Sequence, residues 1–583
     1  MSSQTTALPK DFSAKTRNDN LGRLEQETFD LLIIGGGITG AGIVREAVRR
    51  GYKVALLEKG DFAGGASSKS SKLIHGGLRY LAALKFGLVF DACRQRRQLL
   101  NLAPHLVWPL PFVLPVYQDS PRPWWQIRTA MWLYDALTAF RIPANGHSWP
   151  AHQIWSAGQI LDREPLLNSH GLVKAARYFD CGTDDARLTL VTLIDAHRQG
   201  AILANYAKVT GLLQTTSRVT GVQVRDRRNG AEIEVQARLV VSAVGPWTDK
   251  FLRLARGPGQ RWLHPTKGVH LVVRRERLPC QAALTFNAPR DGRFMFLVPW
   301  GNHTIIGTTD TDYDGDPDNV LATSADVAYI LEAVQRAFPS AGLNENDVIS
   351  TYAGLRPLIK ENGNSRCDTP STYNRSRSHQ IRQVRPGLIA VAGGKFTTHR
   401  TMAAEVVKEA ARILARDHHR SPSGFKNGPH SPLPGGNIAD WDAYQTQQKT
   451  TIAAGAGLPV DVAEHLVTTY GTEVTPLLML LLRRPSLAER LTSDLPVIKA
   501  QVVHAIRHEM ALTLEDVLAR RMPVMACAVD QGVGIAESVG RWLAAELGWT
   551  VEERVAQVAT YRHQVAMSRR WRDEGKQSNN VLL

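Results

Sequence analysis

Residues 29–40 read Phe29-Asp30-Leu31-Leu32-Ile33-Ile34-Gly35-Gly36-Gly37-Ile38-Thr39-Gly40. Phe29 to Ile34 is a short apolar run of the kind buried in a parallel sheet, and it leads directly into a G-x-G-x-x-G. Ala41 to Arg50 can then form a helix, and Lys53 to Leu57 a second strand ending at Glu58. In this order each glycine has a task. Gly35 permits the tight turn, Gly37 lets the backbone approach a pyrophosphate, and Gly40 lets helix pack on strand. The helix N-terminus, with Ile38 and Thr39 in its first turn, offers N–H groups and a partial positive charge to phosphates. Glu58 stands 18 residues after Gly40, where it can accept hydrogen bonds from ribose hydroxyls. That acid disfavours NADP but does not separate NAD from FAD. The fold class expected from this stretch is α/β, built on a Rossmann-type dinucleotide domain.

Outward from this unit, strands and helices alternate to about residue 415. At 583 residues the chain exceeds one compact core, so two or three domains are expected. Residues 1–28 are polar and read as a loose arm. Residues 29–417 form the oxidoreductase region, and 418–437, rich in Pro, Gly and Ser, form a linker. Over 438–567 apolar residues recur at helical spacing, as in Val462, His465 and Leu466. Residues 568–583 read as a frayed polar tail. The apolar run Pro476 to Leu482 stops at Arg483-Arg484, which suits a buried helix and is too short to span a bilayer. Nothing at the start has the form of a secretory signal. Five scattered cysteines without a CxxC pair argue against a disulfide framework, a metal site and an iron–sulfur cluster. The net charge of +16 calls for an anionic partner, whether headgroup, phosphorylated substrate or nucleic acid. No nucleic-acid-binding motif is present, so nucleic acid is not expected.

Further motifs carry a resemblance. They are Gly60-Asp61-Phe62, Ser67-Ser68-Lys69-Ser70-Ser71-Lys72-Leu73-Ile74-His75-Gly76-Gly77-Leu78-Arg79-Tyr80, Val244-Gly245-Pro246-Trp247, Lys267-Gly268-Val269-His270, Ile306-Gly307-Thr308-Thr309-Asp310, Gly354-Leu355-Arg356-Pro357-Leu358 and Gly393-Gly394-Lys395-Phe396-Thr397-Thr398. With Arg507 to Arg521 they resemble the FAD-dependent glycerol-3-phosphate dehydrogenases from about Arg17 to Arg521. The resemblance implies an FAD domain, a substrate-capping domain on an antiparallel sheet, and an all-helical C-terminal domain. Independently, Arg293 to Thr309 reads as a hairpin around Gly301-Asn302. For FAD it implies contacts from Lys59, Ser67, Ser68, Lys72, Leu73, Gly76, Gly245, Gly393, Gly394, Lys395, Phe396 and Thr397, beside Gly35, Gly36, Gly37 and Glu58.

The reaction implied is oxidation of sn-glycerol 3-phosphate to dihydroxyacetone phosphate by hydride transfer to FAD. It needs cationic donors for the phosphate and a base for the C2 hydroxyl proton. By resemblance the first task falls on Arg356, Arg377 and Lys395, with Arg79 and Tyr80 nearby. The base is His270 or His75; His270 is preferred because His75, beside Gly76-Gly77, can instead pack on the flavin. His303 and His399 fit no motif and suit core or surface roles, and Asp180 and Asp184-Asp185 suit structural ones. The interval between Arg356 and Arg377 is short, whereas oxygen-using relatives carry a long insertion there, so a membrane quinone is the expected acceptor. That places the enzyme peripherally on the anionic inner face of the cytoplasmic membrane. Trp124 to Tyr134 mixes aromatics and arginine as an interfacial segment does, though a core helix fits it equally. A homodimer is allowed but not dictated. Rival readings are an amine or amino-acid oxidase of the same flavoprotein group and a dehydrogenase for another polyol phosphate.

Overall fold

The computed structural model describes residues 11–574 except 84, 139–149, 258, 260, 361–377, 423 and 425–430, and lacks described side chains at 79, 82, 83 and 138. Its strands form two sheets. In the first, Phe29–Ile34 lies between Val54–Leu57 and Glu232–Ser242, all parallel, and Leu388–Gly393 continues the parallel order beyond Glu232–Ser242. All six residues of Phe29–Ile34 are buried, as a strand covered on both faces must be. The helices Ile38–Arg49, Asp185–Arg198 and His399–His418 share one apolar core with it.

The second sheet is antiparallel except where Ala283–Asn287 runs parallel to Val107–Tyr117. The expected hairpin is there: Phe294–Trp300 pairs with His303–Gly307 around Gly301, whose φ of +55° suits glycine. Leu263–Arg274 pairs with both His303–Gly307 and Val348–Ile359. The chain moves from the first sheet to the second, back, out again and back, so the two are interleaved. Helices make up the C-terminal part, among them Lys499–His508, Ala536–Leu547 and Val551–Arg569. The α/β class with a capping sheet and a helical C-terminal domain is thus the architecture observed.

Three local expectations are corrected. In the arm, Ala14–Gln26 is a helix docked on the first sheet, because its polar residues are spent on that sheet's edge. Arg17 pairs with Asp226 at 2.6 Å and Asn20 donates to the Leu203 carbonyl at 2.9 Å. The tail is helical to Arg569, and Trp571 is only 2% exposed in the capping-domain core. Finally, Thr475–Arg483 is not wholly buried: Leu477 and Leu481 face inward while Leu482 is 71% exposed.

A buried ion cluster joins the C-terminal domain to the first. Asp61, fully buried three residues beyond Glu58, takes Arg520 Nε and Arg521 Nη1 at 2.5 Å and Arg521 Nη2 at 2.8 Å. Burial alone would raise its pKa, but Arg521 and Arg520 hold it below the usual carboxylate value. Arg520 also binds Asp516, which accepts a 2.6 Å bond from Tyr206. Removing one partner of such a set leaves a buried charge unpaired. Arg521→Met is therefore expected to destabilise the protein by about 3–5 kcal/mol in chemical denaturation. Arg225→Met, which breaks only a surface pair with Glu232, should leave the midpoint where it is.

Candidate functional site

A cavity of about 2050 Å³ runs from the C-terminal ends of the first sheet's strands, under the capping sheet, to the C-terminal domain. At the dinucleotide end the glycine loop is as tight as its sequence requires. Gly35 has a φ of +111° and a Cβ there would stand 2.6 Å from the Ala243 carbonyl oxygen. A Cβ on Gly40 would stand 1.9 Å from the Gly35 carbonyl oxygen, and one on Gly37 3.0 Å from Ser67 Oγ. Helix Ile38–Arg49 starts at Gly37 without a side-chain cap, although Ser67 Oγ accepts the Ile38 N–H at 2.9 Å. Thr39, Ser68 and Gly245 line the same end. Glu58 accepts the N–H groups of Gly36 at 2.7 Å and Gly60 at 2.8 Å, while burial raises its pKa against those bonds. A carboxylate has about four acceptor positions, so capacity for ribose hydroxyls remains.

Three predicted contacts have other partners. Lys59 pairs with Asp318 of the capping domain and lies 4.0 Å from the Trp247 ring centroid. Lys72 is bound to buried Asp185 at 2.6 Å, which also accepts Ser70 Oγ at 2.7 Å. Gly76 faces away from the cavity: its N–H donates to Asp180, and a Cβ would strike Tyr134 and Cys93. Asp180 and Asp185 therefore hold the two ends of the Ser70–Gly77 loop, the structural role expected of them. His303 and His399 are buried and bonded to the Cys527 and Phe396 carbonyls, which are core roles.

At the other end the loop and the capping sheet converge. Leu73, His75, Gly77 and Tyr80 line the cavity with Gly393, Gly394, Phe396 and Thr397, and Lys395 Nζ lies 3.7 Å from the Tyr80 ring centroid. The pairing of Leu263–Arg274 with Val348–Ile359 sets His270 opposite Tyr352, Gly268 opposite Gly354 and Thr266 opposite Arg356. His270 stacks on Tyr352 at 4.8 Å and its Nε2 is 2.8 Å from Ser71 Oγ. Burial, then the charges of Arg356 and Lys72, lower its pKa to about 3, so the imidazole is neutral at neutral pH. Arg356 crosses Gly268, where a Cβ would stand 2.4 Å from Nη2, and it donates to Asp310 at 3.1 Å. Arg377 and the Arg79 side chain lie outside the described residues. Tyr352 and Ser71 orient the base candidate; Ser71 stands in a recognised motif without an assigned role, and Tyr352 in none. Tyr352 stands four residues before Arg356 on one strand, a spacing that places both on one face. Among the described residues no group of His, Cys, Asp and Glu is placed to hold a metal.

The arrangement offers a cradle for a dinucleotide pyrophosphate next to a neutral base and two cations. Similarity to known proteins follows the same lines. Residues 30–408 match the family model described as FAD dependent oxidoreductase, and residues 429–554 match the C-terminal domain of alpha-glycerophosphate oxidase. Glycerol-3-phosphate dehydrogenase 2 of Mycobacterium bovis is 38% identical over 93% of this chain and 89% of its own length. Aerobic glycerol-3-phosphate dehydrogenase of Staphylococcus haemolyticus is 33% identical, covering 91% of this chain and 93% of its own. The X-ray structure of the glycerol-3-phosphate dehydrogenase from Bacillus halodurans complexed with FAD superposes with a TM-score of 0.78 at 31% identity, over 95% of this chain and 98% of that one.

The cradle makes a specific demand on its glycines. Gly40→Ala should purify with little or no flavin absorbance, because the new Cβ meets backbone that cannot yield. Gly60→Ala, whose Cβ would be 3.8 Å from the nearest atom, Glu58 Oε1, should keep its flavin. Equal flavin content in both variants would contradict this reading of the loop.

Proposed function

The chain belongs to the family of FAD-dependent glycerol-3-phosphate dehydrogenases, and from that membership we propose that it oxidises sn-glycerol 3-phosphate to dihydroxyacetone phosphate and delivers the electrons to a membrane quinone. The observation that carries the reading is the buried His270, held by Ser71 and Tyr352 close to Arg356, in the cavity that also holds the glycine cradle. FAD, when bound, supplies the two-electron acceptor. The glycine loop, Ser67, Glu58, Gly245 and the Gly393–Thr397 segment would hold it.

Arg356 and Lys395 bind the phosphate as charged donors, Arg356 through a planar fork already oriented by Asp310. Tyr80 supports Lys395 from below, and Arg79 and Arg377 join them by resemblance. His270 takes the C2 hydroxyl proton while the hydride leaves the same carbon, so alcohol becomes ketone. Ser71 and Tyr352 fix the plane of its ring. The field of Arg356 that depresses the imidazole's pKa is countered when a phosphate dianion arrives, which raises its basicity as the proton must be taken.

Anaerobic addition of sn-glycerol 3-phosphate to the yellow protein should bleach the flavin absorbance. Colour should then return faster with a quinone analogue than with air. Failure to bleach would remove this substrate; faster return in air would make dioxygen the acceptor, the chemistry in the name of the C-terminal family.

Quinone is reached from lipid, and one mouth of the cavity suits that. Helices Phe86–Leu102 and Trp124–Thr138 pack together there. Met131 and Tyr134 are buried beneath, whereas Trp125 and Trp132 are 65% and 71% exposed, beside exposed Phe86, Phe90, Arg122 and Arg128. Core helix and interfacial helix are therefore two faces of one segment. Exposed aromatics flanked by arginines fit an anionic bilayer surface, in peripheral attachment to the inner face of the cytoplasmic membrane. No helix among the described residues is long and apolar enough to cross. The protein should co-sediment with phosphatidylglycerol vesicles, and Trp125→Ser with Trp132→Ser should abolish this without changing turnover with a soluble dye. Unchanged sedimentation of the double variant would place the contact elsewhere.

A further inference from the structure

The cavity wall around Arg356 holds a carboxylate between two arginines, of which only one has a role so far. Asp310 follows the strand His303–Gly307 by three residues, and its side chain is 4% exposed. Its Oδ1 accepts from Arg356 Nη1 at 3.1 Å, and its Oδ2 stands 3.5 Å from Arg293 Nη1. Arg356 is tied further by Nη2, which donates to Thr308 Oγ1 at 3.0 Å and to the Thr309 carbonyl at 3.1 Å. Arg293 directly precedes the strand Phe294–Trp300, and its Nε is 3.4 Å from Asp291. Asp291 is 42% exposed, so water screens what it contributes. Arg293, Asp310 and Arg356 all line the cavity.

A carboxylate that serves only to neutralise an arginine is best used as a bidentate partner of one guanidinium. Here each oxygen faces a different arginine, and the carboxylate becomes a common anchor that sets two planar forks side by side. The place they share is next to the base: Arg356 crosses Gly268, two residues along the strand from His270. A phosphate monoester presents three terminal oxygens and close to two negative charges, more than one fork satisfies.

We infer that Arg293 is a second phosphate-binding guanidinium, set beside Arg356 by the carboxylate of Asp310 that they share. The inference rests on the reading of this cavity as the site for sn-glycerol 3-phosphate, and it adds the residues that select a phosphate ester over an unphosphorylated polyol. Asp310 is then a positioning residue. Its removal separates two effects of opposite sign: loss of a negative charge alone would tighten anion binding, whereas loss of the anchor loosens it.

The test uses the FAD-loaded full chain with Arg293→Met, Arg293→Lys and Asp310→Asn, each checked for flavin content and melting temperature. KM and kcat are measured with sn-glycerol 3-phosphate and with glycerol, and inorganic phosphate is titrated against the flavin spectrum. Arg293→Met should raise KM for the phosphate ester by about tenfold or more, with a smaller effect on kcat and a smaller effect on any turnover of glycerol, which carries no phosphate. Arg293→Lys should recover part of the loss, and Asp310→Asn should weaken phosphate rather than tighten it. Equal losses on both substrates, an unchanged KM, or tighter phosphate binding in Asp310→Asn would each overturn the inference. If the parent protein binds phosphate and Arg293→Met does not, yet neither oxidises the ester, the anion site stands and the substrate reading falls.

Discussion

The buried carboxylate of Asp61 is the constraint around which the three parts of this protein are organised. It stands in the loop that links Glu58 to the Ser67–Lys72 segment, beside the glycine loop. Its counterions, Arg520 and Arg521, belong to the C-terminal domain. An ionised carboxylate without exposure to water is costly unless its partners stay in place. The loop can therefore hold its shape only while the helical domain is docked. The same domain reaches helix Asp185–Arg198 through Arg187 and Glu509 at 2.5 Å, and the capping sheet through the Ser350 hydroxyl on the Ala526 carbonyl at 2.6 Å. The C-terminal domain thus helps to shape the cradle from outside the glycine loop.

The second organising feature is a set of glycines on one face of the capping sheet. Gly268 and Gly354 are paired across two strands, and Gly307 is paired with His270. A Cβ at Gly307 would stand 2.4 Å from His270 Cδ2, just as one at Gly268 would strike Arg356. Gly307 and Gly268 leave the imidazole and the guanidinium room to lie against the sheet, and Gly354 admits Lys69. Tyr352 and Ser71 then fix the imidazole, and Asp310, Thr308 and Thr309 fix the guanidinium. The imidazole and the guanidinium are held in place by what the strands omit as much as by what they carry.

Much of this was legible in the sequence, and the reasons for the rest are physical. The glycine loop and the Gly301 hairpin were readable because local steric demands leave few residue choices. The helix Ala14–Gln26 was not, since Arg17 and Asn20 look like solvent-facing residues until their distant partners Asp226 and Leu203 are known. Lys59 and Lys72, which the resemblance assigns to the cofactor, do line the cavity, but their charges are spent on Asp318 and Asp185, which lie far off in sequence. Trp124 to Tyr134 supported two readings because periodicity reports amphipathicity, not what covers the second face. Contacts between segments hundreds of residues apart are what a single sequence conceals.

The interleaving of the chain has a consequence for its biosynthesis. Phe29–Ile34 emerges from the ribosome early, but its sheet gains Glu232–Ser242 some two hundred residues later and Leu388–Gly393 later still. The arginines that neutralise Asp61 come last. At elongation rates of about 5–20 residues per second, the nascent cradle spends roughly half a minute to a minute and a half with its sheet incomplete and a carboxylate unmatched. The complete cradle therefore exists only once the C-terminal domain has emerged, and the incomplete sheet is the state that chaperones would have to shield.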